Sequence, residues 1–96
     1  MKAIQVTGPR QLEVMEAPMP EPSDGEVLIK LAALSVCGTD MMAYRHPHPE
    51  EDYPLGVGTP CHECAGTIVE SKSVDWPVGR RVIYLPALNL NGCAEY

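Results

Sequence analysis

The stretch GEVLIKLAALSVCGTD, from Gly25 to Asp40, decides the fold that the sequence predicts. Its residues Glu26 to Val36 form the strongest strand candidate in the chain. Alternate positions put apolar side chains on one face, namely Val27, Ile29 and Leu31. Cys37 follows this strand directly, and a short helix is predicted over residues 40–45. The strand therefore leads into a group of chemically active side chains.

Two shorter strand patterns precede this stretch. Residues 2–6 predict a first strand, and Thr7-Gly8-Pro9-Arg10 is typical of a turn. Leu12 and Val14 then alternate with polar neighbours, which predicts a second strand that is half-buried.

Two more strand patterns follow it. They cover residues 64–70 and 81–85, and a turn is predicted between them over residues 74–79. Short strands in regular succession, without the helix–strand alternation of a nucleotide-binding domain, indicate an antiparallel barrel of five to seven strands. Ten prolines and eight glycines among 96 residues agree with one small domain of strands joined by turns.

The charge and hydropathy patterns exclude several classes of protein. The net charge is −6 and no basic cluster is present, so we expect no nucleic-acid partner. No apolar run approaches the roughly 18 residues of a membrane helix, and the start of the chain does not read as a signal peptide. We therefore expect a cytoplasmic protein without a membrane partner.

The residue types around Cys37 and His62 are those of a catalytic zinc site. A thiol, a hydroxyl and a carboxylate stand within four positions at Cys37, Thr39 and Asp40, and His62-Glu63 add an imidazole and a second carboxylate. Zinc favours sulfur and imidazole nitrogen, and a catalytic site keeps one coordination position open. An open zinc lowers the pKa of a bound water to about 7 and can act on a substrate hydroxyl in the same way.

The cysteines leave two other interpretations open. There are four of them, Cys37, Cys61, Cys64 and Cys93. All four together could hold a structural zinc, although such a site usually needs two close pairs and only Cys61-x-x-Cys64 exists. The same pair could carry redox chemistry, which requires a cationic environment that lowers a thiol pKa.

Five stretches, in this order and spacing, resemble the zinc-dependent medium-chain alcohol dehydrogenases. They are Gly25–Lys30, Cys37–Asp40, His62–Glu70, Val78–Val82 and Gly92–Tyr96. The resemblance covers nearly the whole chain. It implies the family's N-terminal catalytic domain, a mainly β, GroES-like, partly open β-barrel with short helical segments.

The resemblance also implies roles for individual residues. Cys37 and His62 match two ligands of the catalytic zinc, and Asp40 matches a carboxylate that orients the zinc histidine. Thr39 matches the hydroxyl that relays the substrate proton, and Glu63 matches a carboxylate close to the metal.

The sequence departs from the family pattern at several positions. Cys61 replaces a glycine before the zinc histidine, Arg80 replaces an aspartate, and Met42 replaces a relay histidine. Proton release would then use His46, His48 or water directly. Residues 86–92 run straight into Cys93 without a lobe of four close cysteines, so we expect no structural zinc.

The family's third zinc ligand and its Rossmann domain have no counterpart in residues 1–96. No Gly-x-Gly-x-x-Gly element for a dinucleotide is present, so we assign no cofactor-binding residue. The resemblance therefore implies the front part of a longer, homo-oligomeric enzyme that oxidises a small alcohol, with NAD or NADP held by the absent domain. Two alternatives remain: a stand-alone GroES-like domain that binds or scaffolds without catalysis, and a zinc-free reductase relative.

Overall fold

A computed structural model of the chain describes residues 1–85 and 90–96. The described part is mainly β, with one short α-helix and a single-turn 3₁₀ helix at Glu50–Asp52. In chain order its elements are β1 (Lys2–Gly8), β2 (Gln11–Glu16), β3 (Val27–Ser35), α1 (Gly38–Arg45), β4 (Glu63–Ser71) and β5 (Arg81–Tyr84). Every strand and helix predicted from the sequence is present, with ends that differ by one or two residues.

The first two strands form an antiparallel ribbon. The register pairs Lys2 with Glu16 and Val6 with Leu12, and Val6 is fully buried. The half-buried character predicted for β2 is wrong, because Leu12 is 51% exposed and Val14 is 73% exposed. Strand β2 pairs with β1 alone among the described residues, so no second layer covers its apolar side chains.

The remaining strands form an antiparallel sheet in the order β3-β4-β5. The β3–β4 register shifts twice, once between Leu28 and Ile29 and once between Leu31 and Ala33. Gly66 of β4 lies opposite Leu31, and a Cβ at this glycine would run into the carbonyl oxygen of Lys30. Only glycine therefore allows the two strands to approach this closely.

The segment Cys93–Glu95 joins the two sheets. The amide of Ile4 in β1 donates to the carbonyl of Cys93 over 2.8 Å, and the amide of Leu31 in β3 donates to the carbonyl of Glu95 over 2.9 Å. The amide of Glu95 donates to Lys2, and Ala94 forms a bridge with Ala3. The sheets are linked but not closed on each other, which confirms the expected GroES-like, partly open β fold.

The most deeply buried side chains come from several segments of the chain. The most enclosed are Val6 of β1, Ile68 of β4 and the thiol residue Cys61. The segment before Cys93 had been predicted to lack a cysteine lobe, but residues 86–89 lie outside the described part of the chain. The absence of a structural zinc therefore stays a prediction. Within the described part, no helix has the length and apolar character needed to cross a bilayer.

Candidate metal centre

The turn between β3 and α1 fixes the position of Cys37. Cys37 is the N-terminal cap of α1 and has extended backbone angles, φ −103° and ψ 179°. Its amide donates to Oδ2 of Asp40 over 2.8 Å. This bond satisfies an amide that has no partner inside the helix, and it holds the Cys37 side chain at the start of α1.

Asp40 also orients His62, which immediately precedes β4. The carboxylate of Asp40 is 2% exposed, and its Oδ1 lies 3.0 Å from Nδ1 of His62. A carboxylate accepts hydrogen bonds, so Nδ1 carries the proton and donates it. The lone pair of Nε2 is then free, and Nε2 lies 3.7 Å from Sγ of Cys37. The buried carboxylate of Asp40 thus orients two potential metal ligands, Cys37 and His62, toward each other.

The resulting donor set fits zinc. Cys37, Asp40 and His62 each offer an atom within 4.8 Å of the others. Two ligands of one tetrahedral zinc, with bonds of about 2.0 and 2.3 Å, lie about 3.5 Å apart, close to the sulfur–nitrogen distance found here. Cys37 and His62 are the residues that could hold the metal, and the hydrogen bond of Asp40 to His62 is typical of carboxylates behind zinc ligands.

The other predicted site residues lie at the edge of this cluster or outside it. The hydroxyl oxygen of Thr39 is 2.8 Å from the Cys37 sulfur, and the Thr39 side chain is exposed. Glu63 is not part of the donor cluster and begins β4 opposite Ser35. The ring of His48 is engaged elsewhere, because its Nε2 lies 3.2 Å from the carbonyl of Ala43.

The contact between the thiols of Cys61 and Cys93 was not predicted from the sequence. Sγ of Cys61 lies 2.6 Å from Sγ of Cys93, and Sγ of Cys64 lies 3.7 Å from the carbonyl of Gly92. The hypothesis of a four-cysteine site is wrong, because Cys37 faces His62 and the described thiols form no joint donor cluster. The partners Cys61 and Cys93 are 32 positions apart, and no local pattern signals their contact.

Burial changes the acidity of two of these thiols. It raises the pKa of Cys61 and of Cys64, and the neighbouring sulfur of Cys93 and the carboxylate of Asp40 act in the same direction. Both residues therefore hold their protons at neutral pH more firmly than an ordinary cysteine does.

In the metal-free folded chain, we expect iodoacetamide at pH 8 to modify Cys37 first. Cys61 should react at least about tenfold more slowly, because each unit of raised pKa lowers the reactive thiolate fraction tenfold. Cys64 should also react more slowly than Cys37, because burial raises its pKa and blocks access. Mass spectrometry of the digested chain measures each rate, and the chain in guanidinium provides the control. Equal rates for Cys37 and Cys61 in the folded chain would contradict this prediction.

Comparison with known proteins identifies the family to which this chain is similar. The family described as the alcohol dehydrogenase GroES-like domain matches residues 23–96. An uncharacterized zinc-type alcohol dehydrogenase-like protein of Haemophilus influenzae is 38% identical over 96 residues, which is 97% of this chain and 27% of the relative. Sorbitol dehydrogenase of Bacillus subtilis is 34% identical over 100 residues, again 97% of this chain and 27% of the relative.

A solved structure supports the fold alone. The crystal structure of S. aureus TarJ superimposes with a TM-score of 0.70 at 22% identity, and the match covers 98% of this chain and 27% of that one. The chain thus spans about a quarter of the length of the proteins it matches.

Proposed function

This chain belongs to the alcohol dehydrogenase family through its GroES-like domain, and from that premise we propose that it supplies Cys37 and His62 as ligands of a catalytic zinc. The reaction is the oxidation of a small alcohol to a carbonyl compound, linked to NAD or NADP. The proposal rests on one observation. Sγ of Cys37 lies 3.7 Å from Nε2 of His62, and this nitrogen carries no proton because the ring proton is on Nδ1, which donates to Asp40.

The residues around the proposed metal would have separate roles in the reaction. When bound, zinc would polarise the substrate oxygen and lower the pKa of its hydroxyl. Asp40 holds the His62 ring in the tautomer that can bind metal and ties Cys37 to the same carboxylate. Thr39 presents an exposed hydroxyl beside the Cys37 sulfur. This hydroxyl can accept the substrate proton and pass it to solvent.

The nicotinamide and a third zinc ligand would come from outside residues 1–96. The sequence contains no Gly-x-Gly-x-x-Gly element, and Glu63 lies outside the donor cluster. We therefore propose that these residues are the N-terminal catalytic domain of a longer, homo-oligomeric, cytoplasmic enzyme. In that enzyme Glu63 would lie close to the metal and exchange with solvent there.

The 96-residue chain on its own should oxidise no alcohol with NAD or NADP. It offers no site for the pyrophosphate of the cofactor, so hydride transfer has no acceptor in place. Absorbance at 340 nm, followed with a series of alcohols at high protein concentration, measures this. Turnover that persists after repeated purification would contradict the proposed division between two domains.

A second candidate function is a binding or scaffolding domain without catalysis. The missing dinucleotide element favours it. A scaffold needs no metal, whereas the shared orientation of Cys37 and His62 by a buried carboxylate serves metal binding. The same geometry disfavours a zinc-free reductase. Metal affinity therefore separates the candidates.

Asp40→Asn should weaken the affinity for zinc about 10–100-fold, because changes in the carboxylate behind a zinc ligand typically have this effect. The amide keeps the size of the side chain but removes the charge that favours the correct His62 tautomer. Titration with Co²⁺, monitored through its visible absorption and a competing chelator, gives the affinity.

Asp75→Asn provides the matched control. Asp75 is exposed and lies in the turn before β5, where its backbone carbonyl accepts a bond from Arg80 and its amide donates to Ser73. This variant should bind Co²⁺ as the parent chain does. If Asp40→Asn bound the metal equally well, the orientation argument would be wrong and the scaffold interpretation would gain support.

A further inference from the structure

The buried contact between Cys61 and Cys93 lies outside the proposed metal centre. The two sulfurs are 2.6 Å apart, whereas a disulfide bond is about 2.05 Å long. Cys61 is 2% exposed and Cys93 is 8% exposed. Both are free thiols in this structure. Two thiols in such close contact need little movement to become bonded.

The backbone holds the two cysteines in this arrangement. The amide of Gly92 donates to the carbonyl of Cys61 over 2.7 Å, and the amide of Cys93 donates to the carbonyl of Gly58 over 2.8 Å. A Cβ at Gly92 would run into the sulfur of Cys64 and would lie 3.0 Å from the carbonyl of Cys61. The glycine therefore permits the close approach of the segment that carries Cys93 to the segment that carries Cys61.

We propose that Cys61 and Cys93 form a reversible thiol–disulfide pair that a peroxide oxidises. The bond would join the residue before His62 to the segment Cys93–Glu95 that links the two sheets. The remaining thiols are placed differently, since Cys37 faces His62 and Cys64 faces the carbonyl of Gly92.

The chemistry balances with hydrogen peroxide as the oxidant. Because burial makes Cys61 a poor nucleophile, the sulfur of Cys93, the more exposed of the two, attacks a peroxide oxygen first; the O–O bond breaks, and a sulfenic acid on Cys93 and one water form. The second thiol sulfur then attacks the sulfenic sulfur, the S–O bond breaks, and the hydroxyl leaves with a proton as a second water. Two sulfurs are oxidised and one peroxide is reduced to two waters. A dithiol reductant restores both thiols by exchange and is itself oxidised to a disulfide.

The test is a disulfide map of the folded, chelator-treated chain after exposure to hydrogen peroxide. Trypsin cleaves after Lys72, Arg80 and Arg81, and glutamyl endopeptidase cleaves after Glu63, between Cys61 and Cys64. We expect one cross-linked peptide pair that contains Cys61 and Cys93 and that dithiothreitol separates.

Two serine variants and an unfolded control test whether the fold selects the Cys61–Cys93 pair. Cys93→Ser should lose the cross-linked pair, whereas Cys64→Ser should keep it. In guanidinium the fold no longer brings Cys61 to Cys93, so the closer pair Cys61–Cys64 should be cross-linked instead, because short loops close most readily. Far-ultraviolet circular dichroism identifies a variant that has unfolded, and the map of the parent chain then decides alone.

Three results would overturn the proposal. The first is a folded chain whose main cross-link is Cys61–Cys64 or Cys64–Cys93. The second is oxidation to sulfinic acid without a cross-link. The third is an identical map for folded and unfolded chains, which would mean that the fold does not select the pair.

Discussion

Replacing Cys37 by serine should abolish zinc binding by this chain. The substitution removes the sulfur that faces Nε2 of His62 and leaves a hydroxyl that is a much poorer zinc ligand at neutral pH. Because the described residues include only two of the ligands that the proposed site needs, Cys37 and His62, binding by the parent is already expected to be weak and partly lost on dialysis. Elemental analysis after dialysis against zinc-containing and zinc-free buffer measures the stoichiometry.

Cys93→Ser is the matched control for this experiment. It changes the same atom in a cysteine that is more deeply buried and that contacts Cys61 rather than His62. In reducing buffer it should leave zinc binding unchanged. Equal loss in both variants would indicate a site shared by several cysteines, and tight binding unaffected by either would contradict the Cys37–His62 centre.

Replacing Ile68 by alanine should lower the free energy of unfolding by about 2–5 kcal/mol. Ile68 is 1% exposed and lies in β4, the central strand of the three-stranded sheet, so its truncation leaves a cavity that the surrounding strands cannot fill. For a small domain with a total stability of about 5–15 kcal/mol, this is a large share. Urea unfolding followed by circular dichroism gives the value.

Ile83→Ala makes the same chemical change one strand away. Ile83 lies in β5 and is 76% exposed, so its truncation removes little buried surface. We expect an effect within about 0.5 kcal/mol. If the two variants lost the same stability, the difference in burial between Ile68 and Ile83 would not hold in solution.

The sequence predicted well those features that depend on neighbours along the chain. The apolar run after Gly25 predicted β3, and a short helix was predicted over residues 40–45, although α1 begins two residues earlier at Gly38. The closeness of Cys37 and His62 came from family resemblance, since nothing local relates two residues on separate elements. Their roles as zinc ligands stay predictions that the experiments above test.

Features that depend on distant segments were missed or misjudged. Alternation correctly predicted β2 as a strand, but it could not reveal that no second layer covers Leu12 and Val14. The contact of Cys61 with Cys93 depends on backbone bonds at Gly58 and Gly92, which join segments far apart in the sequence. Periodicity describes one strand at a time and does not specify what packs against it.

The segment that links the two sheets also sets the order in which the chain can fold during synthesis. The β1–β2 ribbon uses only early residues, and the β3–β4–β5 sheet uses only residues up to Tyr84. The bonds that the amides of Ile4 and Leu31 donate to Cys93 and Glu95 must wait until the last described residues have left the ribosome. By that stage β1 can already accept bonds from the amides of Leu55 and Gly58, so the bonds to Cys93 and Glu95 are the last of this set to form.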